Sequence, residues 1–280
     1  MNELELKAAE TLIELALRED VGEGDITTDN IIPARAKRKA KMIAKADGIV
    51  AGLPVAEMVF RKLDPSLKWD IITPEGSKVK KGDVMVEFEG TYRALLTGER
   101  TALNFLQRLS GIATMSGMYA EAVRDFKTVI LDTRKTLPGF RMLDKYAVKT
   151  GGASNHRIGL FDMAMIKDNH IEVAGGITNA VNALRGKLKE GVKIEVETTT
   201  LEQVQEALDN HVDIIMLDNM DTQTMRRGVE LIAGRAKVEA SGNMTLERLR
   251  EVAATGVDYI SIGVLTHSVS ALDISQRLEK

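Results

Sequence analysis

The spacing of apolar positions changes along the chain, and each change marks a different kind of element. Between residues 4 and 18, Leu6, Ala9, Leu12, Ile13, Leu15 and Ala16 recur near every third or fourth position. This predicts an amphipathic helix that stops before Val21-Gly22-Glu23-Gly24. From Lys39 to Glu89, short β-like runs (Met42 to Ala46, Leu67 to Ile72, Val84 to Phe88) surround one helical stretch, Pro54 to Leu63, the pattern of a small α+β unit. A longer helix is predicted from Gly98, with Ala102, Leu103, Leu106, Leu109 and Ala113 on one face and Gly111 and Gly117 allowing close packing.

Beyond residue 128 the chain becomes rhythmic, each apolar, β-branched run ending in polar residues before a helical stretch. Val129-Ile130-Leu131 ends at Asp132-Thr133-Arg134-Lys135, Met163 to Ile166 at Lys167-Asp168, and Ile194 to Val196 at Glu197. Ile214 to Leu217 ends at Asp218, Val238 to Ala240 at Ser241-Gly242-Asn243, and Tyr259 to Ile262 at Gly263. Glu197, Asp218, Ser241 and Gly263 lie 21, 23 and 22 residues apart, the length of one strand plus one helix, and Thr200-Leu201-Glu202-Gln203 supplies a capping box. Repeated βα units predict a parallel barrel or a doubly wound sheet, both of which carry functional groups at the C-terminal ends of strands. About six strands, fewer than the eight of a full barrel, point to an incomplete one. No G-x-G-x-x-G follows the first strand, which counts against dinucleotide binding.

Composition narrows the chemistry. With 280 residues, 44% hydrophobic and 28% charged, the chain is long enough for one large or two ordinary folded domains. Cysteine is absent, so any chemistry must use oxygen and nitrogen groups, as suits a reducing compartment. A net charge of -3 with 4% aromatics is a poor fit to nucleic-acid binding. The longest stretch without Asp, Glu, Lys or Arg, Tyr259 to Leu272, has 14 residues, short of a membrane span. The acidic Met1-Asn2-Glu3-Leu4-Glu5 start is unlike a secretory signal, and a cytoplasmic protein is expected.

Inside this acidic chain, residues 133–170 carry seven cations (Arg134, Lys135, Arg141, Lys145, Lys149, Arg157, Lys167) against three acids, a net +4, with His156 and His170. Arg134, Lys135, Lys167 and the His156-Arg157 pair fall at strand ends or in the loop Thr150-Gly151-Gly152-Ala153-Ser154-Asn155-His156-Arg157, which implies a polyanionic substrate. Arg141, Lys145 and Lys149 read as solvated surface charges. Glu197 and Asp218 close adjacent strands, where carboxylates converge on a divalent cation or ribose hydroxyls, or cap the following helices. Ser241-Gly242-Asn243 and Ile262-Gly263-Val264 follow the last two strands, where barrels commonly cradle phosphate on backbone N–H groups. The histidines show no metal-site spacing, and His211 reads as a loop residue. Serine-hydrolase and P-loop motifs are absent, as is the acidic pair of common type I phosphoribosyltransferases.

Six strings in order, Gly98-Glu99-Arg100-Thr101-Ala102-Leu103-Asn104, Asp132-Thr133-Arg134-Lys135-Thr136, Gly151 to Arg157, Lys167-Asp168-Asn169-His170, Glu195-Val196-Glu197 and Ser241-Gly242-Asn243, resemble the quinolinate phosphoribosyltransferase family. The resemblance runs from Glu19-Asp20 to Gly263-Val264-Leu265-Thr266-His267-Ser268. It implies an N-terminal α/β sandwich over residues 1–110 and an incomplete β/α barrel of about six or seven parallel strands over 111–268, with residues 269–280 packing on the sandwich. It also implies conversion of quinolinate and phosphoribosyl pyrophosphate to nicotinate mononucleotide, carbon dioxide and pyrophosphate in NAD biosynthesis, with Mg2+ and no organic cofactor. By motif, Thr133, Arg134, Lys135, His156, Arg157 and Lys167 would bind the pyridine dicarboxylate and nearby phosphates, with Lys135, Glu197 and Asp218 catalytic. Glu197 and Asp218 would hold ribose and magnesium, and the loops Ser241 to Asn243 and Ile262 to Val264 the 5′-phosphate. Arg100, otherwise a surface arginine, would enter the site of a neighbouring subunit, making the working unit a homodimer able to assemble further into a hexamer. Two rivals follow from the same residues. One is a related phosphoribosyltransferase acting on another anionic base, and the other is a binding module built on the carrier-domain-like turn Gly76 to Val84.

Overall fold

Alternation of buried and exposed residues in β1 (Lys37–Ala44), where Ala40, Met42 and Ala44 point inward and Lys39 and Lys41 outward, starts the first of two compact units. The computed structural model describes residues 1–279. One unit comprises Met1–Gly117, Thr136–Gly152 and the chain from Val264 onward, and the other Met118–Lys135 and Ala153–Gly263. This division differs from cuts at 110/111 and 268/269. The helix Glu99–Ala122 runs unbroken across the first expected cut, and the helix Arg141–Thr150 belongs to the first unit although its sequence lies amid barrel strands.

In the first unit, β1 is followed by β2 (Gly48–Ile49), β3 (Lys68–Ile71), β4 (Lys78–Val79) and β5 (Val84–Thr91). The strands β1, β3 and β5 form an antiparallel sheet that the last strand of the chain extends at one edge. Phe60, Trp69 and Phe88 pack in its core with ring centroids 5.0 to 6.1 Å apart. The turn Gly76 to Val84 links β4, which pairs with β2, to β5 inside the sheet. Glu75 accepts the N–H groups of Gly52 and Leu53 at the start of helix Leu53–Leu63 and the Tyr146 hydroxyl at 2.7 Å, so one carboxylate ties a helix terminus to the 136–152 segment. A Cβ at Gly111 would lie 2.2 Å from the Ser270 carbonyl, so helix Glu99–Ala122 and the C-terminal segment meet at a distance only glycine allows.

The second unit is a parallel sheet of six strands, β6 (Val129–Leu131), β7 (Ala164–Ile166), β8 (Ile194–Thr198), β9 (Ile214–Asp218), β10 (Lys237–Ser241) and β11 (Tyr259–Ser261), in the order β6-β11-β10-β9-β8-β7. The order leaves β6 and β7 as ends without a ladder between them among the described residues, so the barrel is incomplete, as the strand count implies. A seventh position exists in rudiment. Ser154 donates to Ile130 and accepts from Asp132, running parallel to β6 for one bridge. Ile130, Val196, Ile215, Leu217, Val238, Ala240 and Ile260 are buried on one face of the sheet. The final strand, β12 (Ile274–Leu278), belongs to the first unit and pairs antiparallel with β1.

Lys145 is only 2% exposed, correcting its reading as a surface charge; the buried face of helix Arg141–Thr150 carries it beside Leu143, Asp144 and Tyr146. Asp144 is fully buried and receives both arms of Arg108, at 3.1 and 2.8 Å, while the guanidinium also lies over the Phe140 ring. Removing one partner of such a pair strands a charge in the core, which costs about 3 to 5 kcal/mol, whereas removing both costs much less. Arg108→Leu should therefore lower the urea midpoint sharply, and adding Asp144→Asn should recover most of the loss. A double variant no better than the single one would refute this account.

Candidate active site

Because side chains alternate across a strand, the registers of β7 to β10 set which residues share the face opposite the apolar one. Glu195 and Glu197 of β8, Met216 and Asp218 of β9, and Glu239 and Ser241 of β10 stand in matching rows, with Lys167 one step past β7. The sheet therefore gathers charged groups from strands far apart in sequence onto one face.

Helix capping does not account for Glu197 and Asp218. Thr200 Oγ1 accepts the Gln203 N–H and caps helix Leu201–Asp209, and Asp221 accepts the Thr224 N–H and caps helix Thr222–Ile232. The Gln203 side chain returns to Thr199 rather than to Thr200, so the expected capping box is shifted by one residue in its second half. Glu197 instead pairs with the Lys167 ammonium from the adjacent strand end, and Asp218 accepts a bond of 2.7 Å from the Asn219 side chain. Thr133 Oγ1 accepts the Lys135 N–H, which shapes the turn after β6 and leaves the Lys135 side chain exposed.

Beneath these residues lies a buried charge cluster that the strand-end pattern did not single out. His156 Nε2 is 3.3 Å from Glu195 Oε2 and 3.2 Å from Glu239 Oε2, and both glutamates are fully buried. Burial alone would lower the proton affinity of the imidazole, but the two carboxylates reverse this and raise its pKa to about 10. Burial and the neighbouring Glu239 raise the pKa of Glu195, and His156 opposes them. The Arg157 N–H lies 2.7 Å from Nδ1 and favours the neutral ring. Against that backbone bond, worth about 1 kcal/mol net, two carboxylates face Nε2 within 3.3 Å, and their attraction favours the cation. The His156 N–H donates to the buried Asp132 at 2.8 Å, fixing the loop to the end of β6, and the Arg157 guanidinium donates to the Met163 carbonyl at 3.1 Å. Glu195 and Glu239 were legible only as acids two residues before the strand-end Glu197 and Ser241 on the same face.

The loops after β9 and β10 support each other. The Asn219 N–H donates to Ser241, and Arg248 reaches the Met220 carbonyl at 2.7 Å and that of Gly242 at 3.4 Å. Asn219 and Asn243 both have positive φ, 55° and 47°. After β11, Ile262 is buried and its N–H donates to Leu131, and Gly263 is the last residue of the second unit. Val264 and Arg100, exposed at the start of helix Glu99–Ala122, belong to the first unit. The +4 segment is likewise divided, with Arg134, Lys135, Arg157 and Lys167 in the second unit and Arg141, Lys145 and Lys149 in the first.

A parallel β/α sheet whose C-terminal edge joins Lys, Arg and His to carboxylates and tight glycine-containing loops has the chemistry that suits polyanions. The family model for the quinolinate phosphoribosyl transferase C-terminal domain matches residues 112–277, and that for its N-terminal domain residues 25–110. The chain is 48% identical over 287 residues to the chloroplastic nicotinate-nucleotide pyrophosphorylase [carboxylating] of Oryza sativa subsp. japonica, covering 96% of this chain and 77% of the relative. It is 47% identical over 265 residues to a probable nicotinate-nucleotide pyrophosphorylase [carboxylating] of Synechocystis sp., covering 94% and 90%. The crystal structure of NadC from Streptococcus pyogenes superposes with a TM-score of 0.94 at 40% identity, covering 96% of each chain. The chain belongs to the quinolinate phosphoribosyltransferase family. Among the described residues, no helix is long and apolar enough to cross a membrane.

Gly242 tests the paired loops. Its φ is 90°, and a Cβ there would lie 2.2 Å from Asn219 Oδ1 and 2.9 Å from Asn219 N, whereas Gly234 has a φ of 74° with nothing within 4 Å. Both alanine variants incur backbone strain of about 1 to 2 kcal/mol, and only Gly242→Ala adds the clash. Its thermal midpoint should fall clearly below that of Gly234→Ala; equal midpoints would show that the Asn219 loop yields freely.

Proposed function

We propose that the chain transfers the phosphoribosyl group of phosphoribosyl pyrophosphate to the ring nitrogen of quinolinate, with loss of carbon dioxide and pyrophosphate, giving nicotinate mononucleotide for NAD biosynthesis. The observation that carries this reading is the meeting, on one sheet face, of Lys167, His156 and Arg157 with the uncapped strand-end acids Glu197 and Asp218. Cations suit the pyridine dicarboxylate and the phosphates; acids suit ribose hydroxyls and the positive charge that develops at C1 as pyrophosphate leaves. Family membership favours quinolinate over another anionic base, and the Gly76 to Val84 turn, placed inside the first unit's sheet connections, adds no support to a carrier-like module.

In this reading Thr133, Arg134, Lys135, His156, Arg157 and Lys167 hold the dicarboxylate and phosphates in near-attack geometry. Lys135 lies on the exposed side of its turn, where its ammonium suits the pyrophosphate. The backbone from Ser241 to Asn243 and from Gly263 to Val264 receives the 5′-phosphate, and the buried Ile262 shapes that turn. The C2 carboxylate departs after bond formation because the positively charged ring nitrogen accepts its electron pair. The donor set of Glu197 and Asp218, two oxygen ligands on adjacent strand ends, fits magnesium, which typically takes one or two carboxylates and completes its sphere with water and substrate phosphate. When bound, the ion supplies neutralisation of the departing pyrophosphate. The protein works in the cytoplasm as a homodimer in which Arg100 completes the neighbour's site, with further assembly to a hexamer open to it.

The direct test is release of pyrophosphate and carbon dioxide from quinolinate plus phosphoribosyl pyrophosphate, with and without magnesium, against nicotinate and nicotinamide as competing bases. Release with neither quinolinate nor a competitor would end the assignment. Glu197→Gln should lower kcat by about 10² or more, the scale of losing an electrostatic contact aimed at the transition state; unchanged turnover would remove Glu197 from the chemistry. For the dimer, mixing inactive Arg100→Ala and Glu197→Gln chains should restore about a quarter of wild-type activity, because random pairing rebuilds one complete site in each mixed dimer. No restoration after subunit exchange would place Arg100 outside the partner's site.

A further inference from the structure

The reading above uses His156 and Arg157 but leaves unexplained why two fully buried glutamates lie under a site for anions. Among the described residues, the polar side chain that Glu195 and Glu239 share is the His156 ring, whose Nε2 lies 3.3 and 3.2 Å from them. Buried charges are costly unless they are matched, so the cluster requires a cation. We propose that Glu195 and Glu239 are positioning residues that act through His156, holding its ring as a cation and thereby giving the quinolinate site a built-in positive charge; this rests on the function proposed above.

Among the described residues, Glu195 from β8 and Glu239 from β10 face the ring, with Asp132 at the end of β6 holding its backbone N–H. Arg157, next in the chain, is drawn by Glu195 and repelled by Arg134. Three cations crowded at one strand edge would repel one another before a dianion arrives. Two carboxylates beneath them offset that repulsion, so the cations are already in place when the substrate binds. A divalent metal could sit among the same three side chains by distance alone. With the imidazolium and Arg157 supplying two positive charges beside the two carboxylates, a further dication is not needed for balance.

The test uses the full-length enzyme with ¹⁵N-histidine. The chain has four histidines, so the His156 ring resonances are assignable by their loss in His156→Asn. In the wild type His156 should stay doubly protonated to beyond pH 9, and in Glu239→Gln it should titrate in the neutral range. This readout needs no turnover, so it stands or falls apart from the substrate assignment. In kinetics, Glu239→Gln should raise the quinolinate KM at pH 8.5 about tenfold or more and return towards wild type at pH 6, with the phosphoribosyl pyrophosphate KM unchanged. A wild-type His156 that is neutral at pH 7 would overturn the proposal. So would a pH-independent loss of kcat alone, or a stoichiometric metal ion that elemental analysis finds in the wild type and not in Glu239→Gln. If Glu239→Gln fails to fold, Glu239→Asp, which keeps the charge on a shorter arm, must retain the high-pH imidazolium, and its loss there would equally overturn the proposal.

Discussion

In a parallel strand, successive side chains leave the sheet on opposite faces, and the chemistry of the second unit depends on that alternation. Val196, Ile215, Leu217, Val238 and Ala240 fill the apolar face. The residues between them, Glu195, Glu197, Asp218, Glu239 and Ser241, are thereby committed to the other face. Water cannot balance charge placed as deep as Glu195 and Glu239, so these two must find their counter-charge within the fold. His156 answers that constraint, and Lys167 pairs with Glu197 nearer the strand ends.

The two edges of the sheet use acids differently. At the N-terminal edge Asp213 accepts the Ile194 N–H and Asp258 the Val238 N–H, so these carboxylates fasten one strand to the next. At the C-terminal edge the helix caps come from Thr200 and Asp221, residues outside the strands. Glu197 and Asp218 are therefore free of backbone duty, and a residue with no structural task at the functional edge is available for substrate. Asp132 is the exception, spending one oxygen on the His156 N–H, and that bond places the histidine loop beside β6 as a rudimentary seventh strand.

How much of this was legible in the sequence depended on whether the signal was local. The six strands of the second unit were readable because β-branched runs end in polar residues, the last four at an almost constant interval, and helix Leu53–Leu63 matched its expected span within one residue. The C-terminal segment that carries β12 was expected on the first unit, but the membership of residues 136–152 was not readable, since they join that unit through contacts more than 35 residues away in sequence, such as Arg108 with Asp144. Lys145 read as exposed because a lone lysine usually is; its burial follows from the face that helix Arg141–Thr150 turns inward. Glu195 and Glu239 are 44 residues apart, and nothing in either strand announces that they share one histidine. Parallel pairing two strands across supplies that information, and periodicity within a strand cannot.

The same geometry explains why a histidine, and not a longer cation, suits position 156. The space is bounded by two carboxylates near Nε2, the Arg157 N–H near Nδ1 and the Asp132 bond to the backbone, all within about 3.3 Å of the residue's own atoms. A rigid ring close to the main chain can meet these partners without ordering a long flexible stem, whose entropy cost would reach about 2 kcal/mol for lysine or arginine. Its charge is also conditional: an imidazole becomes a cation only where its surroundings favour the proton, and here two carboxylates do so. The site's positive potential is thus partly intrinsic and partly conferred by buried acids, and the conferred part lies where the fold itself controls it.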